Sequence, residues 1–394
     1  MTTAAAFPGV IITQPGPQYS AAYRQWQGCP SICRTPKGRF FGGWYSGGSR
    51  EPSYWNYNIL ARSDDGGINW QDPVLVIATV PATRKQLLDI ELWLDPLQRL
   101  WCFWVQRDYS CGGIKDAAHV STWAIRCDDP DAADLHWSAP FLAFTGFLRC
   151  QPTVLNDGRW LACAYDWTCD RYCYSESSDQ GRTWLRRQGG KKLDAFFDET
   201  QILERRDGSL LMFARTCKTG CIAQSFSTDG GATWTDGAPT DIPNPSTRFF
   251  LRRLQSGRVL LINNLDAKQR VAMTAMLSED DGRSWPYQLT LENSTGSSYP
   301  DAVQAPDGGI HIIYDRGGRN ARKEIVTCRI CEDDIIAGKI TALDSFIGNI
   351  ASKAPQQTIA APADRDRIRD FDDRWLKNQF GDIAGADAIA QPLF

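Results

Sequence analysis

Histidine and methionine are scarce in this chain, at three and four residues among 394. His119, His136 and His311 are the only imidazoles, so a metal centre built on several histidines has little to draw on. No run of eighteen or more apolar residues occurs, and no helical membrane span is expected. A basic surplus is also missing: 43 Lys and Arg against 46 Asp and Glu give a formal charge of -3, which argues against nucleic acid as a partner. No GxxxxGK phosphate loop and no metal-ligand spacing is present, so no cofactor and no metal is expected. The opening MTTAAAFPGVIITQPGPQ has neither the basic region nor the continuous apolar stretch of a secretory leader. Thirteen cysteines, an odd number without a repeating framework, are expected to be mostly reduced in a cytoplasmic protein. Cys328-Arg-Ile-Cys331 has CxxC spacing, but it falls in an expected strand, where residues three apart face opposite sides and share a metal poorly.

What the chain has in quantity is turn chemistry, and it repeats. The octet Ser-x-Asp-x-Gly-x-x-Trp stands at Ser63–Trp70, Ser177–Trp184, Ser227–Trp234 and Ser278–Trp285. The serines are 114, 50 and 51 residues apart, so a degenerate copy is expected inside the first interval, and RCDDPDAADLHW ends there on Trp137. Asp, Gly and Ser dominate tight turns for local backbone reasons, which gives these octets a structural reading. They resemble the Asp-box of sialidases and related propellers.

A second repeat interleaves with the first, a turn followed by an apolar run. It begins at Pro36-Lys-Gly38, Asp95-Pro-Leu-Gln98, Asn156-Asp-Gly158, Asp207-Gly208, Ser256-Gly257 and Asp307-Gly308. Six hairpins at a period near 50 residues are what a six-bladed β-propeller with four strands per blade requires. The last blade keeps its turn and the strand EIVTCRI, but its octet shrinks to CEDD, and residues before Cys29 are expected to complete it and close the ring. From Ser352 the pattern stops. SKAPQQTIAAPAD reads as a linker, and Ile368, Phe371, Trp375 and Leu376 then recur at helical spacing. The expected organisation is an all-β propeller over residues 1–351, followed by a linker and short helical tail over 352–394. That tail would dock on the propeller or on a second subunit.

Counting nine residues back from each hairpin turn reaches the start of each blade's innermost strand, beside the central channel. Cys29, Asp89, Arg149, Glu199, Arg248 and Tyr299 occupy these positions. Two arginines, two carboxylates and a phenol converging there predict a polar pocket. Arginines can hold a carboxylate through paired N–H donors, and a carboxylate beside a phenol can take its proton.

Most of residues 28–331 resembles the sialidase superfamily. FDETQILERRDGSLLMFAR resembles the segment that supplies the glutamate partner of the nucleophile and the second arginine of a carboxylate-binding triad, here Glu199 and Arg215. RVAMTAMLSEDDGRSW resembles the segment opening with the third triad arginine, here Arg270, and SSYPDAVQAPDGGIHIIYD the segment carrying the nucleophilic tyrosine, here Tyr299. In GSREPSYWNYNILARSDDGG, Glu51 stands near the position of the general acid, which is aspartate in the family. Where sialidases open the first blade with Arg-Ile-Pro, this chain has Gly28-Cys29-Pro30, so the first triad arginine is absent and Arg149 or Arg248 becomes its candidate replacement.

The resemblance implies an exo-acting, retaining glycosidase on an acidic sugar. Tyr299 would attack, Glu199 accept its proton, Glu51 or Asp89 protonate the leaving oxygen, and the arginines anchor the substrate. An inverting hydrolase using Asp89 and Glu199 is a variant. A uronate-directed lyase or rhamnosidase would instead use a histidine, with His119 the candidate facing the pocket. A non-catalytic propeller that binds glycans or protein through the same face is the third reading. The expected partner is a carbohydrate, with neither nucleic acid nor membrane involved.

Overall fold

A computed structural model of the protein describes residues 9–48, 56–79, 85–108 and 120–355. The chain forms six antiparallel blades in sequence order. In the first, Trp26–Arg34 is innermost, followed outward by Phe40–Gly47, Tyr57–Ser63 and Gln71–Ala78. The second runs from Lys85–Leu94 to Phe141–Thr145, and the third has its inner strands broken into short pieces between Phe147 and Tyr165. Blades four, five and six open with Gln201–Glu204, Phe250–Arg253 and Ser298–Gln304.

Second strands such as Leu210–Ala214 and Val259–Asn264 are buried at every residue. Each blade is sandwiched between two others, so both faces of its middle strands are apolar instead of alternating. The core is accordingly a set of layers, one per interface. Phe41, Leu60, Leu92 and Trp104 fill the space between blades one and two, and Leu260, Ile262, Ile312 and Val326 that between five and six.

The octets act as turns. In the first, Ser63 Oγ donates to Asp65 Oδ1 at 2.8 Å, Gly67 N–H donates to Ser63 Oγ at 3.0 Å, and Asn69 N–H donates to Asp65 at 2.9 Å. The Trp70 indole then lies over Gly42, where a Cβ would come within 2.9 Å of the ring. The same bonds recur at Ser177, Ser227 and Ser278. Thr183 and Thr233 donate to Asp179 and Asp229 and lower both carboxyl pKa values to about 2. These acids are held as hydrogen-bond acceptors.

Ring closure differs from the expectation. The sixth blade is completed by its own strand, Phe346–Lys353, not by residues before Cys29. The reduced octet CEDD caps a short helix, Glu332–Ala337, in which Asp334 accepts from Cys331 N and Thr341 N and so lets the chain return as a fourth strand. The N-terminal strand Val10–Ile12 instead pairs outside Gln71–Ala78 as a fifth strand of blade one. Closure comes from packing between blades six and one and from buried Arg24, which bonds Asp72 at 2.5 and 2.6 Å and Ser352 Oγ at 3.0 Å. The predicted tail helix lies outside the described residues. The twelve described cysteines are free thiols.

Candidate active site

The inner strands begin irregularly, and those irregularities build the site. Pairing shifts register between Gly28 and Ser31, between Leu88 and Ile90, and between Ser298 and Asp301, so Cys29, Asp89 and Tyr299 all sit at bulges. Cys29, Glu199 and Tyr299 have φ of 53°, 38° and 56°. For a residue with a Cβ this left-handed backbone costs about 1–2 kcal/mol, and bulges of this kind re-aim side chains toward functional centres.

The three bulged positions and their neighbours meet around one phenol. Tyr299 O–H donates to Glu199 Oε1 at 3.1 Å, and Arg215 Nη1 donates to the phenolic oxygen at 3.2 Å. Arg215 also pairs with Glu199 Oε2 at 2.9 Å, and Arg149 Nε lies 3.7 Å from Glu199 Oε1. Arg149 forms a buried ion pair with Asp89. Four guanidinium groups besides Arg215 surround the ring of Tyr299: Arg149, Arg248 and Arg270 at 5.3, 5.5 and 5.5 Å from its centroid, and Arg319 at 4.3 Å.

This field sets the protonation states. Burial pushes the Glu199 carboxyl upward, but Arg215 and Arg149 more than reverse that and hold it below the usual carboxylate range. Burial raises the Tyr299 phenol, the Glu199 charge raises it further, and Arg215, Arg149 and Arg319 pull back only partly. The resting pair is therefore a neutral phenol hydrogen-bonded to a carboxylate.

The structure brings Tyr299, Glu199, Asp89, Arg149, Arg215 and Arg270 together. Arg270 hydrogen-bonds Ser298 Oγ at 3.3 Å and the Ser246 carbonyl at 3.2 Å. Arg248 lies under the phenol. It donates to the carbonyls of Arg149, Pro30, Tyr299 and Pro300 at 2.8–3.2 Å and pairs with Glu91 at 3.2 Å. Its donors are thus directed at the strand starts. Below it, Ser31, Asp301 and Gln151 fill the axis with further hydrogen bonds. Glu51 and His119 lie outside the described residues. Of the other histidines, His136 is exposed, and His311 is buried against Phe40 beside the hairpin turns. A cavity of about 490 Å³ at that same end is lined by Arg34, Asp307, His311 and Arg329, and lies away from Tyr299.

Two participants were missed by reading the sequence. Arg319, from the turn Gly318–Arg322, reaches across Gly28, where a Cβ would fall 2.6 Å from its Cδ. Its Nε donates to Asp315 Oδ2 at 3.1 Å, the same oxygen that accepts Cys29 N–H at 3.0 Å, while Ser298 Oγ donates to Oδ1 at 2.7 Å. The guanidinium thus arrives next to Cys29 from a loop 290 positions later. Gly28 was the one available signal, since it leaves the strand open to a crossing side chain. Tyr165 is the second: burial raises its phenol, and the charges of Arg149, Glu199 and Arg215 all act on it.

Residues 44–312 match the BNR repeat-like domain family. The chain is 26% identical to the anhydrosialidase of Macrobdella decora over 43% of its own length, and that match spans 25% of the leech protein. Among solved structures, the intramolecular trans-sialidase from Ruminococcus gnavus in complex with oseltamivir carboxylate superposes with a TM-score of 0.65 at 17% identity, covering 81% of this chain and 97% of that one. The Hadza microbial sialidase Hz136 gives a TM-score of 0.62 at 18% identity, with 83% and 69% covered. With more than half its length matched and its octets, blades and ring order in place, the chain belongs to the BNR repeat-like domain family and is a sialidase-type Asp-box propeller.

Proposed function

We propose that the protein is an exo-acting, retaining glycoside hydrolase that removes a terminal acidic sugar, with Tyr299 as nucleophile and Glu199 as its base. The observation that carries this reading is the phenol held 3.1 Å from a buried carboxylate and 3.2 Å from a guanidinium. A phenol has an ordinary pKa of about 10 and attacks poorly unless its proton leaves as it reacts.

In the resting site that transfer is uphill, because Arg215 and Arg149 stabilise the Glu199 anion. A bound carboxylate changes the balance. By engaging Arg215 it competes with Glu199 for the same guanidinium, lifts the basicity of Glu199 and readies it for the proton. Tyr299 Oη then bonds to the anomeric carbon, its proton passes to Glu199, and the glycosidic bond breaks toward an oxygen protonated by Glu51, Asp89 being ion-paired with Arg149. Water, deprotonated by that same acid in its basic form, displaces Tyr299, whose oxygen takes its proton back from Glu199, and the site is regenerated. In this reading Arg215, Arg270 and Arg319 hold the carboxylate, Arg149 orients Asp89 and Glu199, and Arg248 keeps the pocket floor in shape. Relatives named as sialidases, one of them in complex with oseltamivir carboxylate, support an acidic substrate.

The test is release of product from aryl glycosides of N-acetylneuraminate, its deaminated analogue, glucuronate and rhamnose, by wild type and Tyr299→Phe. Turnover of a nonulosonate that falls at least about 100-fold in the variant is expected for loss of a covalent route. Turnover confined to glucuronate or rhamnose and untouched by the variant overturns the tyrosine mechanism.

A further inference from the structure

We infer that the cavity where blade six meets blade one is a second binding site, which takes a small guanidinium cation carried on an aliphatic stem. It lies on the seam between the two blades and is independent of the chemistry at Tyr299.

Arginines beside the hairpin turns tie each blade to the next, and one seam lacks its arginine. Arg39 donates to the carbonyls of Pro130 and Ala132, in the degenerate octet of blade two, at 3.0 and 2.7 Å. Arg99 donates to the Gln180 carbonyl at 3.0 Å, and Arg159 to that of Gly230 at 3.0 Å. Arg205 reaches the Asp281 carbonyl at 3.2 Å, and Arg258 reaches Glu332 in the reduced octet at 3.0 Å. In blade six the residue after the turn is Gly309, which has no side chain to cross with. Gln180, Gly230 and Asp281 are each fourth in their octets, and the fourth residue of blade one's octet is Gly66. The Gly66 carbonyl accepts no hydrogen bond among the described residues, whereas Thr327 and Asn349 both donate to the carbonyl of Gly67 beside it. Arg329 lies over Gly309, where a Cβ would fall 2.9 Å from its Cζ, but it turns to Asp307 at 3.3 Å and Asp344 at 2.6 Å and gives nothing to the octet.

The cavity of about 490 Å³ occupies this seam, with Gly66, Asp307 and His311 in its lining. His311 supplies a second observation that points to a ligand. It is 5% exposed, and its imidazole makes no hydrogen bond among the described residues, although buried polar side chains normally have a partner. Burial and Arg329 keep the ring neutral, so one of its nitrogens is an acceptor. Together with the Gly66 carbonyl it offers a guanidinium two acceptors. Charge selects the same ligand: Asp65, Asp307 and Asp344 line the cavity against Arg34 and Arg329, three carboxylates to two guanidiniums. Ile68 and Leu343, 52% and 106% exposed, give the stem an apolar wall at the same cavity.

The experiment titrates the whole chain with n-butylguanidinium, its neutral isostere n-butylurea and the anion pentanoate, each followed by saturation-transfer NMR. The arginines around Tyr299 repel the cation from the active site, so its signal reports on the seam. Expected is saturable binding of n-butylguanidinium, with n-butylurea at least about 10-fold weaker for want of charge-assisted hydrogen bonds. Gly309→Arg supplies the crossing guanidinium from the chain itself and is expected to abolish binding. Asp307→Asn changes a side chain that is 64% exposed and can still accept Gly309 N–H. It should weaken binding about threefold, and it decides the matter if Gly309→Arg fails to fold. No saturation by n-butylguanidinium at millimolar concentration, equal affinity for the urea, or affinity unchanged in the variants overturns the site. Pentanoate binding that Gly309→Arg abolishes, with no binding of the cation, assigns the cavity to an anion and overturns the proposal as well.

Discussion

Replacing Arg319 by leucine is the sharpest test of how the carboxylate is held. The guanidinium is within 4.3 Å of the Tyr299 ring centroid and is oriented by Asp315 at 3.1 Å, so a carboxylate at the phenol would meet it with little rearrangement. A hydrogen bond to a charged partner contributes about 1.5–3 kcal/mol, or roughly 10- to 150-fold in kcat/KM. Asp315 keeps two donors, Cys29 N–H and Ser298 Oγ–H, so the variant is expected to fold. The assay sets kcat/KM for an acidic aryl glycoside against its carboxamide analogue. A loss confined to the acid identifies carboxylate binding, whereas equal losses on acid and amide would refute the reasoning. Gly28→Ala offers an independent route to the same result, since its Cβ would sit 2.6 Å from Arg319 Cδ and displace the side chain. The two changes act on one guanidinium, so the double variant should lose little more than either single one.

Arg248→Met should act on folding before it acts on binding. It takes the guanidinium from buried Glu91, which keeps a bond from Ser31 Oγ, and removes one donor from each of four buried strand-start carbonyls, a loss expected to exceed about 3 kcal/mol in urea unfolding. A KM defect with unchanged stability would show instead that this guanidinium faces substrate. Acid stability should depend on His311, whose pKa is lowered to about 4 by burial and by Arg329, against an ordinary 6.5. Between pH 6.5 and 4 the unfolded chain takes up a proton that the folded one refuses. Stability is therefore full above pH 6.5 and declines by up to about 3 kcal/mol on acidification through that window. His311→Leu should flatten the decline in unfolding measured across this range, and an unchanged slope would assign it to other groups.

The sequence alone determined the repeat. Octets and hairpin turns are local, each stabilised by bonds between residues two to four apart, such as Ser227 with Asp229 and Thr233 with Asp229, so their chemistry is visible in any short window. Counting from those turns also located Asp89, Arg149, Glu199 and Tyr299, because a fixed strand length carries the count from one end of a blade to the other. Ring closure was not legible in this way. Whether the last blade takes a strand from the front of the chain or from Phe346–Lys353 depends on where the chain goes after CEDD, and the Asp334 turn that decides it is no repeat of anything.

Tertiary structure alone decided which charges meet. Arg248 and Arg149 occupy equivalent ring positions, yet one lies beneath the phenol holding carbonyls and the other flanks Glu199. Arg319 holds no ring position and still crosses Gly28 to stand over Tyr299. A period reports backbone position, whereas a long side chain's destination depends on the space and the countercharges left by residues hundreds of positions away. At the axis of this propeller those come from all six blades at once.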